Sequence, residues 1–219
     1  MARLDFGGQE FRALGEGALF WPGRRALVLA DLHLEKASWY ARGGQMLPPY
    51  DSLATLDRLE ALIERHAARE VWMLGDSFHD VDGPSRLPPD VAARLRALTG
   101  RIAWTWITGN HDRQSPGAVG GAVVEEALVD GIALRHQADP DDPRPELSGH
   151  YHPKWRVSGR GRTVSRRCFV QGETRMILPA FGALAGGLIA HAPVIRALAR
   201  PVACALVPVQ GRLLRFPIA

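Results

Sequence analysis

Histidines and carboxylates recur at the ends of apolar runs in this chain of 219 residues. The first apolar run, residues 26–30, is followed by Asp31-Leu32-His33, which places a carboxylate and an imidazole two residues apart. In extended backbone, residues i and i+2 point to the same face, so the pair could bind one ion together if the strand continues past Ala30. One pair of this kind is weak evidence for a metal site.

The same arrangement returns four more times along the chain. Later apolar runs are followed by Gly75-Asp76, by Gly109-Asn110-His111-Asp112 and by His136, and then comes Gly149-His150-Tyr151-His152. The residues with metal-ligand chemistry are therefore Asp31, His33, Asp76, Asn110, His111, His136, His150 and His152. Five of the chain's eight histidines belong to this set, which favours a metal site over chance placement of core histidines.

Oxygen and imidazole ligands without a thiolate suit Mn²⁺, Fe²⁺ or Zn²⁺, and they do not single out one of these ions. The set is too large for one ion, whereas two ions about 3.5 to 4 Å apart, bridged by one carboxylate, would use it. Paired cations serve phosphoryl chemistry because they activate a bridging water and neutralise charge on the phosphorus oxygens. A histidine beside the ions, but not bound to them, could protonate the leaving oxygen.

Parallel strands are needed to bring these residues together. Apolar runs at residues 26–30, 71–74 and 102–107 alternate with two helical patterns, one capped by Asp51 or Ser52 and one running from Pro88-Pro89-Asp90 to Gly100. A β-α-β-α-β order favours a parallel sheet, whose strands carry chemistry at their carboxyl ends. We expect the irregular loop at residues 35–50 to lie over that edge.

The rest of the chain indicates antiparallel strands. Strands are predicted at residues 18–21 within a lead-in of residues 1–25, and then at 122–129, 131–136, 155–158, 163–170, 174–178, 202–209 and 213–216. Residues 180–190 fit a helix or a loop equally well. We therefore expect an α/β protein with one domain over residues 1–219. Its predicted architecture is a four-layer α-β-β-α sandwich of two mixed sheets flanked by helices.

The composition, 46% hydrophobic and 23% charged, is that of a soluble globular protein. The first residues have no apolar core of signal-peptide length, and prolines and glycines interrupt the longest apolar stretch, residues 177–195. We therefore expect a cytoplasmic protein. Cys168 and Cys204 have neither metal-site spacing nor the density of a disulfide scaffold, which favours core filling.

The formal net charge of +4 suits an anionic partner without requiring one. Five arginines crowd one predicted hairpin: Arg156, Arg160, Arg162, Arg166 and Arg167. A solvated charged face and a contact with nucleic acid remain open for them.

His79 could support the candidate site or belong to a loop, and we favour the loop. Trp72, Trp104 and Trp106 lie in apolar strands and are predicted core residues.

The ordered set D-x-H, G-D, G-N-H-D, H and G-H-x-H resembles the calcineurin-like metallophosphoesterase superfamily. The resemblance implies that one metal is held by Asp31, His33 and His152 and the other by Asn110, His136 and His150. Asp76 would bridge the two. His111 would donate a proton to the leaving group, and Asp112 would orient it.

Four further stretches are similar to one branch, the bacterial ligase-associated DNA damage response endonucleases of the PdeM family. They are residues 31–36, 47–51 and 75–79 and the tail segment at 178–188. The resemblance implies manganese as the cofactor and DNA as the substrate. It also implies an ATP-dependent DNA ligase, a helicase and an exonuclease as partners.

The leading hypothesis is a binuclear-metal phosphodiesterase or endonuclease that hydrolyses phosphodiester bonds, in DNA during repair, by attack of a metal-bound hydroxide. The alternative is a phosphatase or phosphodiesterase acting on a small nucleotide or metabolite, because a metal site treats each phosphate alike. Specificity would then lie in loops such as residues 35–50 and 137–147. A non-catalytic interaction module on the same fold is less favoured, since such a module is expected to have lost ligands.

Overall fold

The computed structural model describes residues 2–111, 116–159 and 161–218. A first sheet of seven strands follows the order of the chain, with antiparallel neighbours from β1 to β4 and parallel neighbours from β4 to β7. Its strands are β1 (Ala2–Phe6), β2 (Gln9–Ala13), β3 (Leu19–Trp21), β4 (Ala26–Leu29), β5 (Glu70–Leu74), β6 (Ala103–Ile107) and β7 (Ala122–Val124).

The second sheet is also mixed and has the order β16-β15-β13-β14-β10-β9-β8. Its strands are β8 (Ala127–Val129), β9 (Ile132–Leu134), β10 (Glu146–Ser148), β13 (Phe169–Gln171), β14 (Arg175–Ile177), β15 (Ala203–Val209) and β16 (Arg212–Ile218). Strands β9, β10 and β14 run parallel to one another. The remaining two strands, β11 (Lys154–Gly159) and β12 (Arg162–Arg167), form a separate antiparallel ribbon.

Helices cover the outer faces of both sheets. The described helices are α1 (Lys36–Arg42), α2 (Asp51–His66), α3 (Gly83–Arg86), α4 (Pro89–Arg101) and α5 (Pro193–Leu198). Apolar side chains of α2 and α4, such as Leu59 and Leu95, pack on the first sheet. Phe11 and Phe169 belong to the core between the sheets, and Ile195 of α5 packs on the outer face of the second. The predicted four-layer sandwich of two mixed sheets is therefore confirmed.

The parallel half of the first sheet forms as the sequence predicts. Strand β4 is buried along its whole length, as a parallel strand covered on both faces must be. Trp104 and Trp106 share one face of β6, with ring centroids 5.2 Å apart, and both lie in the core under the helices.

Cys168 is buried as predicted, and burial raises the pKa of its thiol to about 12. Cys204 is only partly buried.

Several local predictions are wrong. Residues 1–25 contain three strands instead of one, because the turn at Gly7 and Gly8, both with positive φ, lets β1 fold back on β2. The predicted strand at residues 122–129 is divided: β7 joins the first sheet and β8 the second. The loop expected at residues 35–50 begins with α1, and α5 was not predicted at all.

Helix ends also differ from the prediction. The N-cap of α2 is Tyr50, without a side-chain cap, and the two predicted caps bond elsewhere. Asp51 accepts a hydrogen bond from the Ala37 backbone, and Ser52 donates one to Glu35, so both side chains hold α1 against α2. Gly100 does not end α4, which continues to Arg101.

None of the helices in the described ranges is long and apolar enough to cross a membrane.

Candidate metal centre

The strand ends of both sheets meet at one edge, and each carries candidate ligands. Asp31 follows β4, Asp76 follows β5, and Asn110 follows β6 of the first sheet. His136 follows β9, and His150 follows β10 of the second sheet. Backbone hydrogen bonds join neighbouring ends, such as the one from the His33 amide to the Asp76 carbonyl at 2.9 Å. The topology therefore gathers residues that are far apart in sequence.

The D-x-H pair reaches the centre by a different backbone from the one expected. Strand β4 ends at Leu29, and both Asp31 and His33 adopt positive φ, 55° and 46°, so the segment is a turn and not an extended strand. Five candidate ligands have left-handed backbone: Asp31, His33, Asp76, His150 and His152. Tight turns of this kind aim successive side chains into one space, which an extended segment would not do here.

A first group consists of Asp31, His33 and His152, whose ligand atoms all lie within 4.8 Å of one another. The Nε2 atoms of the two imidazoles are 3.3 Å apart, and Nε2 of His152 is 3.4 Å from Oδ1 of Asp31. Asp31 is completely buried, and its carboxylate also accepts a hydrogen bond from the backbone of His150 at 2.9 Å. We name these three residues the first cluster.

A second group, the second cluster, consists of Asp76, His136 and His150. Nδ1 of His150 lies 3.1 Å from Nε2 of His136, and the side-chain amide of Asn110 lies 3.3 Å from the same Nδ1. Nδ1 of His136 donates to the carbonyl of Leu74 at 3.0 Å. This bond places the ring's proton away from the cluster, so Nε2 presents its lone pair to the other ligands.

Asp76 lies between the two clusters. Its Oδ2 is 3.5 Å from Nε2 of His136 in the second cluster and 4.0 Å from Nε2 of His33 in the first. Its Oδ1 accepts a hydrogen bond from the backbone of His111 at 3.0 Å, which holds the next loop against the centre. A single carboxylate at this position is within reach of both groups, as a bridging ligand must be.

The donor set fits two divalent cations. Burial, followed by the positive charges of His152 and Lys36, lowers the pKa of His33 to about 2, so this imidazole is neutral near pH 7. Burial and the charge of His136 also lower the pKa of His150. Buried Nδ1 of His33 has no hydrogen-bond partner among the described residues. Imidazoles and carboxylates that face one another at 3.1 to 3.5 Å are what Mn²⁺, Fe²⁺ or Zn²⁺ would hold together.

Two glycines let the strand ends approach this closely. A Cβ at Gly75, where φ is +75°, would lie 2.3 Å from Nδ1 of His136. A Cβ at Gly109 would lie 2.2 Å from both the backbone nitrogen and Oδ1 of Asp76. Both positions therefore require the absence of a side chain.

His111 lies beside the clusters and differs from the ligands in being half exposed. Its Nε2 is 3.9 Å from Oδ2 of Asp76, and its ring centroid is 5.6 Å from that of His33. Asp112, its predicted orienting partner, lies outside the described residues.

The centre includes three aromatic rings that sequence reasoning did not assign to it. The His79 ring stacks on His111 at 5.5 Å with an interplanar angle of 14°, so the loop role favoured for His79 is incomplete. Tyr40 stacks on the other side of His79, and Trp39 of α1 meets its edge. The spacing of three residues from Asp76 to His79 was the available signal for His79. Trp39 and Tyr40 belong to the segment at residues 35–50 that was expected to lie over this edge, but their place in a helix was not predicted.

A cavity of about 690 Å³ opens beside the second cluster, next to Asn110 and His136. Its lining carries three carboxylates and one arginine, namely Glu125, Glu126, Asp139 and Arg135. This side of the centre is therefore acidic.

The chain matches no protein-family model and no curated protein sequence. Among solved structures, it is similar to the nuclease MPE of Pseudomonas putida, with 29% identity over 98% of each chain and a TM-score of 0.75. This chain is a metal-dependent phosphoesterase. The similarity to a nuclease agrees with the metallophosphoesterase superfamily inferred from the motif order.

Two other solved structures share lower similarity with this metallophosphoesterase. The phosphoesterase YfcE of E. coli is 14% identical over 89% of this chain and 99% of its own, with a TM-score of 0.45. A predicted phosphoesterase of Streptococcus pneumoniae is also 14% identical, over 88% and 96%, with a TM-score of 0.36.

Proposed function

We propose that this metallophosphoesterase hydrolyses phosphodiester bonds in nucleic acid, with DNA as the substrate and manganese as the cofactor. The observation that carries the proposal is the pair of ligand clusters sharing Asp76, with the half-exposed His111 beside them. The nuclease activity named for the MPE protein of Pseudomonas putida supports the choice of nucleic acid. The resemblance to ligase-associated endonucleases supports DNA repair and manganese.

The proposed roles follow from the geometry. One ion would be held by Asp31, His33 and His152, the other by Asn110, His136 and His150, and both by Asp76. When bound, the two ions supply an activated water and neutralise charge on the phosphorus oxygens. The chain itself holds the donor atoms in place through the left-handed turns and the hydrogen bond from His136 to Leu74.

His111 is proposed to protonate the leaving oxygen. Its side chain is half exposed, so the ring is accessible to a substrate. Its backbone is fixed by Asp76, and its ring plane is fixed by the stacked His79. Proton donation at the leaving group is the contribution that a positioned imidazole makes to phosphodiester hydrolysis.

Aromatic rings favour a nucleic-acid substrate over a small metabolite. Trp39 is 41% exposed and lies next to Tyr40 and His79 at the rim of the centre. Exposed aromatic faces of this kind stack on nucleobases without regard to sequence. The cavity beside the second cluster is large enough for a small nucleotide, but its three carboxylates would repel a phosphate.

The test is hydrolysis by the manganese-loaded protein of single-stranded DNA, supercoiled plasmid, bis(p-nitrophenyl) phosphate, p-nitrophenyl phosphate and a panel of nucleotides. We expect DNA cleavage and faster hydrolysis of the aryl diester than of the monoester, both abolished by a chelator and restored by Mn²⁺. Hydrolysis confined to nucleotides or monoesters would refute the nucleic-acid substrate. Absence of bound transition metal together with absence of hydrolysis would support a non-catalytic module.

A further inference from the structure

The chain's two lysines lie on the side of the centre that carries the first cluster. Lys36 is the first residue of α1, and its charge acts on both His33 and His79. Lys154 is the first residue of β11, two positions after His152, and its charge acts on Lys36. Its Nζ donates to the carbonyl of Ala185 at 3.4 Å, which directs the ammonium towards the tail loop.

Lys154 continues into a polar face of the β11–β12 ribbon. Residues directly opposite each other on two antiparallel strands share a face, and the faces alternate along the strands. The pairs that share the face of Lys154 are Lys154 with Arg167, Arg156 with Ser165, and Ser158 with Thr163. Beyond this base the ribbon stands exposed, so the row is accessible.

The opposite face of the ribbon is different. Trp155 there stacks on Phe216 at 4.7 Å with an interplanar angle of 14°, which attaches the ribbon to the second sheet. Arg166, Val157, Val164 and Arg162 share that face. The ribbon is thus anchored by one face at its base and presents the other as a cationic row.

These cations are not held in ion pairs within the described residues. In the described ranges, no carboxylate forms an ion pair with Lys36, Lys154, Arg156, Arg166 or Arg167. Some arginines elsewhere are strongly paired: Arg94 binds Asp57 and Glu60, and Arg135 contacts four carboxylates. Arg167 instead donates to the carbonyl of Gly182 at 2.7 Å. Unpaired like charges held side by side produce a positive potential that an anionic ligand would relieve.

The charge on the two sides of the centre is opposite in sign. The cavity beside the second cluster is lined by Glu125, Glu126 and Asp139, whereas the ribbon begins beside the first cluster with lysine and arginine. A polyanion with one phosphate at the centre would therefore be repelled on one side and attracted on the other. This asymmetry selects a direction for the chain of phosphates.

We propose that the nucleic-acid strand leaves the centre along the polar face of the ribbon. The surface that would bind its phosphates, named here the ribbon track, consists of Lys36, Lys154, Arg167 and Arg156. Lys154 and Arg156 stand about 7 Å apart along the strand, so they would engage successive parts of an extended backbone and not one phosphate. A small phosphodiester would not reach Arg156. The inference rests on the proposed function and adds the binding surface that favours long substrates.

The test compares Arg156→Glu with Arg162→Glu, which makes the same charge change on the opposite face of the same ribbon. Binding is measured by fluorescence anisotropy with a labelled single strand of about 20 nucleotides, longer than the site sizes of about 4 to 16 nucleotides of single-strand binding folds. The manganese-loaded proteins carry His111→Ala so that the strand stays intact. Hydrolysis of bis(p-nitrophenyl) phosphate is measured in parallel with His111 restored.

We expect Arg156→Glu to weaken binding about tenfold and to reduce the salt dependence of the affinity, and Arg162→Glu to change the affinity less than twofold. Hydrolysis of the small aryl diester should be unchanged in both. Equal effects of the two substitutions, no effect of Arg156→Glu, no strand binding by the parent protein, or loss of aryl diester hydrolysis in Arg156→Glu would each overturn the ribbon track. Ribbon-dependent binding without cleavage of the strand would instead refute the nuclease function and leave the track standing.

Discussion

Individual side chains at the centre differ most clearly in what their polar atoms face. The ligand-type histidines lie 3.1 to 3.3 Å from one another within each cluster, whereas the side chain of His111 is half exposed. Residue type alone did not separate these roles. Exposure and mutual distance separate them, and they lead to two predictions.

His111→Ala should leave the metal content unchanged and lower DNA turnover by roughly 10² to 10⁴-fold, the usual contribution of a general acid. Elemental analysis of the purified protein and steady-state kinetics measure the two quantities. His66→Ala is the matched control, since the His66 ring packs at a tilt against Phe20 in another part of the fold. Unchanged turnover in the His111 variant would assign the proton donor elsewhere.

Asp76→Asn should reduce the number of manganese ions bound per chain, because it removes the negative charge of a carboxylate that lies between the clusters while keeping the side chain's shape. Calorimetric titration of the metal-free protein with Mn²⁺ gives this number. Asp90→Asn, at the first turn of α4, makes the same chemical change away from the centre and should titrate like the parent. Full occupancy in the Asp76 variant would contradict its bridging position.

At the scale of elements, regular patterns were predictable and irregular ones were not. The spacing of apolar residues predicts helices α2 and α4 and strands β4 to β6. The same apolar residues are buried in the structure. Helix α1 buries only Ala37 and has no apolar stripe, so its position depends on contacts from Asp51 and Ser52 that are distant in sequence. The turn at Asp31 and His33 likewise depends on the neighbouring strand end and not on local preference. Residue types therefore indicated which side chains meet. The backbone conformation that brings them together depends on tertiary contacts.

Two glycine substitutions should change stability in opposite directions. Gly109→Ala should lower the free energy of unfolding by about 1 to 3 kcal/mol and weaken metal binding, because its Cβ would overlap Asp76. Gly100→Ala should raise it by about 0.5 to 1 kcal/mol, because the residue lies in α4 with nothing within 4 Å of its Cβ. Urea denaturation measures both. A tolerated alanine at Gly109 would mean that the β6 end can move away from Asp76.

On the scale of the whole molecule, each cluster takes ligands from both sheets. The first combines Asp31 and His33 with His152, and the second combines Asp76 with His136 and His150. Each bound cation would therefore join the two halves of the sandwich, and the metal should contribute to stability as well as to chemistry.

Manganese should raise the unfolding temperature, and a chelator should reverse the change. At a free concentration a thousandfold above Kd, each ion adds about 4 kcal/mol to the free energy of unfolding if it binds the folded state alone. Calorimetric scans at increasing Mn²⁺ measure the shift. Asp76→Asn should show a smaller one, and an unfolding temperature independent of the metal would argue against ligands shared between the sheets.

The metal-free protein should lose stability as the pH falls from 7 to 5. The fold keeps the pKa of His33 at about 2 and that of His79 at about 4, each chiefly through burial, and it also lowers the pKa of His150. All three imidazoles take up protons near pH 6.5 when unfolded. In the folded protein His33 and His79 stay neutral in this range and His150 takes up its proton at a lower pH than when unfolded, so the unfolded chain binds more protons. Burial raises the pKa of Glu146 to about 7, which opposes the trend by one group.

Denaturant midpoints of the metal-free protein at several pH values between 7 and 5 test this balance. His79→Gln should make the decrease shallower, because it removes one group that protonates only on unfolding. A midpoint that rises towards pH 5 would show that the carboxyl group outweighs the histidines.

The left-handed turns at the centre carry a consequence for thermal adaptation. Each non-glycine residue held in that region stores about 1 to 3 kcal/mol, and five such residues here are the candidate ligands. Selection for heat resistance alone would favour glycine at these positions. Glycine there would make the fold more stable, but it would remove the candidate metal ligands and so abolish activity. The backbone strain at this edge of the sheets therefore accompanies the side chains that would bind the cations.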